Sequence, residues 1–262
     1  MKYIDIHCHL DFPDYDTDRV EVLARMKKDG IRAITIGTDL KSSKKAVKIA
    51  EANENVWACM GIHPEEISSE ARDTRYNEKE FENLIRNPKV VGIGECGLDY
   101  FRVNDKSEKI NQKKLFEQQI QFAIKHNKPL MLHIRDAYNN ALDILENYKK
   151  EAGKKLWGNI HFFASDIQIA KKFLDMNFTM SFTGVITFTH DYDEVIKYIP
   201  RESIMSETDA PFVAPVPYRG KRNEPVYVIE VVKKIAEIRA ENMDILNNSI
   251  LENSKRVFGD II

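Results

Sequence analysis

The chain has 262 residues, 43% of them hydrophobic, and a formal net charge of −2. That length suits one large α/β domain, and the apolar share is enough to bury its core. The charge argues against a protein that coats nucleic acid through bulk electrostatics, and no run of about 18 apolar residues is present to cross a membrane.

Strand-like apolar runs alternate with amphipathic stretches. KYIDIHCHL reads as the first strand, followed by a helix over DRVEVLARMKKDG that Gly30 stops. IRAITIGT is the second strand and KSSKKAVKIAEANE the helix after it; VWACMGIHP is the third, with a helix around EKEFENLIRN. VVGIGECGLDY is the fourth strand, followed by a long helix from about Lys106 to His126 and then PLMLHIR, the fifth. AYNNALDILENYKK leads to the sixth strand, LWGNIHFFA; DIQIAKKFLDM leads to the seventh, FTMSFTG; YDEVIKYI leads to the eighth, IMSETDAP. Two helices close the chain, at about 225 to 240 and 242 to 257. Strands that alternate with helices pair in parallel, and eight such units close into a TIM (β/α)8 barrel. With no Pro/Gly/Ser linker to divide it, the chain is expected to form a single domain over 1–262. The Pro-rich APFVAPVPYRGKRNEPV after the eighth strand belongs to the face where such barrels carry their active sites. The lysine-rich helices read as solvated faces. Cys8, Cys59 and Cys96 lie scattered in apolar runs and read as reduced core residues of a cytoplasmic protein. No signal peptide is expected at the N-terminus.

Side chains in a strand alternate between faces. Tyr3, Asp5, His7 and His9 share one face; Ile4, Ile6, Cys8 and Leu10 share the other and would meet the helices. The same parity groups Glu95 with Asp99, His133 with Arg135, His161 with Asn159, and Glu207 with Asp209. His63 ends the third strand. Five of the seven histidines therefore converge, with several carboxylates, on the C-terminal rim of the expected barrel. Imidazoles and carboxylates on one rim are what a divalent metal site requires.

The segments DIHCHLD, GIHPEE, GECGLDYFR, LMLHIRDA, NIHFFAS, SETDAPF, RGKRNEP and NSKRVFG, in this order, run nearly end to end. Together they resemble the TatD family of metal-dependent deoxyribonucleases within the amidohydrolase superfamily. The resemblance implies that His7 and His9, completed by Asp209, bind one metal ion. It implies that Glu95 bridges to a second, bound by His133 and His161, and that Asp209 takes a proton from the attacking water. His63, Asp99, Arg102, Arg135, Glu207 and Asn223 are then pocket or supporting residues, with Arg222 beside them. The implied cofactors are two divalent ions, Mg, Mn or Zn, and the implied substrate is DNA, cut from a 3′ end. Imidazole ligands suit zinc, manganese, nickel or iron better than magnesium. One departure stands out: the family usually reads His-Cys-Phe-Ser-Gly at the sixth strand, whereas this chain has His161, Phe162, Phe163, Ala164 and Ser165. That bears on loop shape and substrate contacts rather than on the metal.

Arginine forks match phosphate oxygens, so Arg102 and Arg135 are candidate clamps, with rim salt bridges as the plainer alternative. Tyr100, Phe101, Phe212 and Tyr218 would stack on unpaired bases or simply pack. His63, before a proline, would serve a turn or the pocket. No lysine follows Glu95 before Lys106, which disfavours the amidohydrolases that bridge their metals with a carbamylated lysine. Two other functions remain open at this stage: hydrolysis of another ester such as D-aminoacyl-tRNA, and metal or nucleic-acid binding without catalysis. The expected partner is DNA with single-stranded ends, with no membrane, no obligate protein partner and a monomeric state.

Overall fold

Among the described residues, apolar runs rich in Ile, Val and Phe form eight strands: β1 (Tyr3–Cys8), β2 (Ile31–Ile36), β3 (Val56–Met60), β4 (Val90–Asp99), β5 (Leu130–Arg135), β6 (Gly158–Ile160), β7 (Phe178–Phe182) and β8 (Ile204–Ser206). The computed structural model describes residues 2–68, 76–101, 103 and 105–259. Each strand pairs in parallel with the next, in the order β1 to β8, which is the TIM-barrel arrangement the alternation predicts. The helices on the outside are α1 (Arg19–Asp29), α2 (Leu40–Glu51), α3 (Glu78–Ile85), α4 (Lys106–His126), α5 (Tyr138–Ala152), α6 (Ile167–Asp175), α7 (Asp193–Tyr198), α8 (Val228–Arg239) and α9 (Met243–Phe258).

Local chemistry sets the helix ends. Gly30, at φ 73, caps α1. Asp39 and Ser42 form a reciprocal capping box at the start of α2. Asp105 caps the start of α4, and Asn127, at φ 51, ends it. The outward strand residues Ile4, Ile6, Cys8, Ile34 and Ile36 are fully buried against these helices, as parity predicts.

Two features differ from the sequence reading. First, the strands stop short of the rim. β6 ends at Ile160 and β8 at Ser206, so His161, Glu207 and Asp209 lie in the segments just beyond. The backbone turns there: Phe162 and Asp209 have φ of 45 and 56, a region that non-glycine residues seldom adopt and that breaks a ladder. Second, β1 and β8 do not form a full ladder. β8 has only three residues, and the two ends meet in a single bridge between Cys8 and Ala210. Side chains complete this seam. Asp5 accepts from Thr208 N–H at 2.9 Å and from the Thr208 hydroxyl, and Ser206 Oγ donates to the Ile4 carbonyl at 3.1 Å.

Candidate metal centre

Main-chain pairing at the seam brings the first group of donors together. His9 N–H donates to Ala210 O at 2.7 Å, and Asp209 N–H donates to His7 O at 2.9 Å. The Asp209 carboxylate is thereby carried to the two imidazoles. Glu95 arrives from the middle of β4 because glycines flank it. A Cβ on Gly94 would lie 2.3 Å from Met131 O, and one on Gly97 would lie 2.0 Å from His133 O. Only glycine lets β4 approach β5 this closely at those positions, where φ is +149 and +142. His133 comes from β5 and His161 from the residue after β6.

The donor atoms take a definite spacing. His7 Nε2 and His9 Nε2 are 3.3 Å apart. Glu95 Oε2 is 3.5 Å from His7 Nε2 and 3.6 Å from His9 Nε2. Asp209 Oδ1 is 3.7 and 3.4 Å from the same two atoms. Ligands at about 2.1 Å from a tetrahedral ion stand roughly 3.4 Å from one another, so these four atoms fit a divalent cation. The other oxygen of Glu95 faces a second group: Oε1 is 2.8 Å from His133 Nδ1, 3.4 Å from His161 Nε2 and 3.5 Å from His63 Nε2. One carboxylate thus divides its two oxygens between two donor clusters. His7 and His161 stack face to face between them, with centroids 3.6 Å apart.

The far nitrogen of a ligand histidine is normally held by an acceptor, which leaves the near nitrogen a lone pair. His9 Nδ1 meets Ile36 O at 2.9 Å, His133 Nε2 meets Asp99 Oδ2 at 2.9 Å, and His161 Nδ1 meets Glu207 Oε1 at 3.0 Å. His7 Nδ1 is buried without a hydrogen-bond partner. Glu207 is itself anchored. It accepts from Phe162 N–H at 2.6 Å and from Ser181 Oγ at 2.6 Å, and Ser181 in turn accepts from Asn159 Nδ2 at 2.7 Å. Asp99 and Glu207 therefore orient histidines.

The electrostatics follow from burial and from these pairs. Burial works against charge on Glu95, but the imidazoles of His63, His7 and His161 outweigh it and hold the carboxyl well below the usual range. Burial likewise opposes charge on His9, yet Asp209 and Glu95 raise its pKa to about 9. For His133, Asp99 and Glu95 overcome burial and raise it to about 10. Burial and the neighbouring His133 push His63 down to about 3. Asp209 stays below its ordinary value despite burial, through His9, His161 and His7.

These groups open into a cavity of about 620 Å³. Phe12, Phe162, Phe212 and Val213 line it, together with Thr38, Glu65, Glu66 and Arg135. Arg135 points out at the rim with its guanidinium 3.6 Å from the centre of the Phe101 ring. Arg102 lies outside the described residues. Asn223 is fully buried and not part of the wall; its Nδ2 donates to Thr208 O and Phe212 O at 2.9 and 2.6 Å, so it shapes the loop rather than touching substrate. Arg222 is committed to Asp18 at 2.7 and 2.6 Å. Tyr218 stacks on Tyr227 at 3.8 Å and is packing, whereas Phe212 is half-exposed at the cavity. Sequence reading missed Phe12, Phe162 and Tyr192 as wall residues, and Asp5, Ser181 and Thr208 as supports. Parity places Asp5 on the inward face, and an inward carboxylate two residues before His7 was a usable signal. Nothing in the sequence marks Tyr192.

Comparison with known proteins gives a consistent answer. A family model described as TatD related DNase matches residues 4–259. YabD of Bacillus subtilis, named an uncharacterized metal-dependent hydrolase, is 37% identical over 97% of this chain and 98% of its own. YcfH of Escherichia coli K12, named likewise, is 31% identical over 98% and 96%. The crystal structure of YjjV, a TatD homologue from Escherichia coli K12, superposes with a TM-score of 0.88 at 26% identity, covering 98% of this chain and 97% of that one.

Proposed function

The chain belongs to the family of TatD-related DNases, and from that premise we propose that it is a divalent-metal-dependent hydrolase that cleaves DNA phosphodiester bonds, shortening single-stranded ends from the 3′ side. The observation that carries this reading is the division of the Glu95 oxygens between two clusters of imidazoles. His7, His9, Asp209 and Glu95 would hold one ion; Glu95, His133 and His161 would hold the other. Two such ions would lower the pKa of water and offset charge on the scissile group and leaving oxygen.

The chain's own residues supply the rest. The Asp209 carboxylate borders the cavity beside His9, so it can take the proton of the attacking water. Asp99 and Glu207 fix the rings of His133 and His161. Arg135 lines the cavity, and its guanidinium fork would meet a phosphate there. Phe162 and Phe212 line the cavity and would stack on an unpaired base, a contact worth about 1–3 kcal/mol per base in single-strand binders. Phe162 is one of the positions that depart from the family pattern, and it lies in the wall, where such a change acts on substrate fit. The three cysteines are buried and unpaired, which supports a reducing cytoplasmic setting.

The test is a gel assay on 5′-labelled single-stranded DNA with magnesium, manganese or zinc. The expected result is a metal-dependent ladder shortened from the 3′ end, with Asp209→Asn at least about a thousandfold slower. Intact DNA under every metal, with the ions shown to be bound, would overturn the nuclease reading, and D-aminoacyl-tRNA would be the next ester to try.

A further inference from the structure

His63 faces the cavity with a polarity opposite to that of the ligand histidines. It follows β3 and precedes a 3-10 turn over Pro64–Ser68, with Pro64 in the first position, where a missing N–H costs nothing. The early N–H groups of such a turn have no main-chain acceptor, and the residue before it commonly supplies one. Here the imidazole does so: Glu65 N–H donates to His63 Nδ1 at 3.2 Å. A nitrogen that accepts a hydrogen bond presents its lone pair, so the single proton of the neutral ring sits on Nε2. A proton on Nδ1 would point at another N–H. Nε2 is on the cavity side, 3.5 Å from Glu95 Oε1, longer than a well-made hydrogen bond. The ring is held edge-on to His133, with centroids 4.3 Å apart.

The contrast with the other rings is direct. At His9, His133 and His161 the far nitrogen meets an acceptor, and the near nitrogen is left with a lone pair for a cation. At His63 the far nitrogen meets a donor, and the near nitrogen is left with a proton. His63 lies within reach of Glu95 and His133 as a possible third member of a metal cluster, but ligation through Nε2 would require moving its proton onto Nδ1, against Glu65 N–H.

We propose that His63 is no metal ligand but a catalytic hydrogen-bond donor, whose Nε2–H binds an anionic oxygen of the substrate's scissile group. It stabilises negative charge on that oxygen without giving up its proton, as a preorganised donor does. The turn that His63 caps is what fixes the tautomer, so the structural and chemical roles of this residue are one arrangement. The identity of the anion as a phosphodiester rests on the function proposed above; the donor role does not.

The test uses His63→Asn and His63→Gln in the metal-loaded protein. The asparagine amide oxygen can stand in for Nδ1 and keep the turn's acceptor; the glutamine amide nitrogen can stand in for Nε2 and restore the donor. Three quantities are read: ions bound per chain, affinity for inorganic phosphate by calorimetry, and kcat on single-stranded DNA. Both variants should keep the wild-type ion content. His63→Asn should bind phosphate roughly tenfold to a hundredfold more weakly and turn over about 10²–10³ more slowly, and His63→Gln should recover most of both. Loss of one ion per chain, equal losses in the two variants, or wild-type phosphate affinity in His63→Asn would each overturn the proposal. If wild-type protein leaves DNA intact while the phosphate affinities follow the expected order, the donor stands and the nuclease reading falls.

Discussion

Glu95 stands among imidazoles, and together with Asp209 and Asp99 it raises the pKa of two of them. With side chains alone, His9 and His133 hold their protons to about pH 9 and about pH 10, against an unfolded value near 6.5. A raised folded pKa means that the folded chain binds more protons than the unfolded one between those values. The stability this contributes is complete below about pH 6.5 and is lost as pH rises through 9 to 10. A cation competes for the same nitrogens, so its binding must displace those protons. Two results are expected. Chelated protein should lose stability between pH 7 and pH 10, while metal-loaded protein loses less. Calorimetric titration with zinc at pH 8 should give an enthalpy that changes with the buffer's ionisation enthalpy, because protons are released. An enthalpy independent of buffer would mean that the rings were already neutral.

At the scale of elements, the weak point is the seam between β1 and β8, and it lies directly beneath the first group of donors. Asp5 spans it, accepting from His7 N–H at 3.2 Å on its own strand and from Thr208 across the gap. Replacing Asp5 with alanine leaves these buried donors unpaired, at about 1–3 kcal/mol for each group. Asp5→Ala should therefore lower the melting temperature and, by loosening the register of His7 and His9 against Asp209, weaken the first ion more than the second. Asp5→Asn, which keeps an acceptor, should do less of both. Equal weakening of both ions would show that the seam does not set this geometry. The sequence was readable here in part. Alternation showed which residues face inward, and His7, Glu95, His133 and His161 all do. It did not show that β6 and β8 each stop after three residues, because apolar content continues past the point where the backbone turns at Phe162 and Asp209. Nor did it show the polar line from Asn159 through Ser181 to Glu207, since a barrel interior is expected to be apolar and contacts between strands are not written in either strand alone.

For the whole molecule, the formal charge of −2 and a cavity whose described basic residue is Arg135 mean that, under the proposed nuclease function, a strand would be held at its end rather than along a track. Single strands show a slope of about 0.7 in log affinity against log salt for each phosphate engaged. With about two phosphates held, log KM for single-stranded DNA should rise on log salt with a slope near 1.4. A slope above about 4 would reveal an extended basic surface. Fold, family and the convergence of the histidines on one rim were legible in the sequence because each rests on residue type and spacing. The hydrogen bond from Glu65 N–H to His63 Nδ1 and the wall positions of Phe12 and Phe162 were not, because they depend on where turns place N–H groups and rings. The proposed two-ion arrangement rests on Glu95, whose two oxygens face two separate donor clusters. Loading the chelated protein with manganese and recording its paramagnetic resonance tests this directly. Two manganese ions per chain should bind and show spin coupling through the shared carboxylate, and Glu95→Gln should abolish the coupling. A single ion, or two ions with uncoupled spectra, would contradict it.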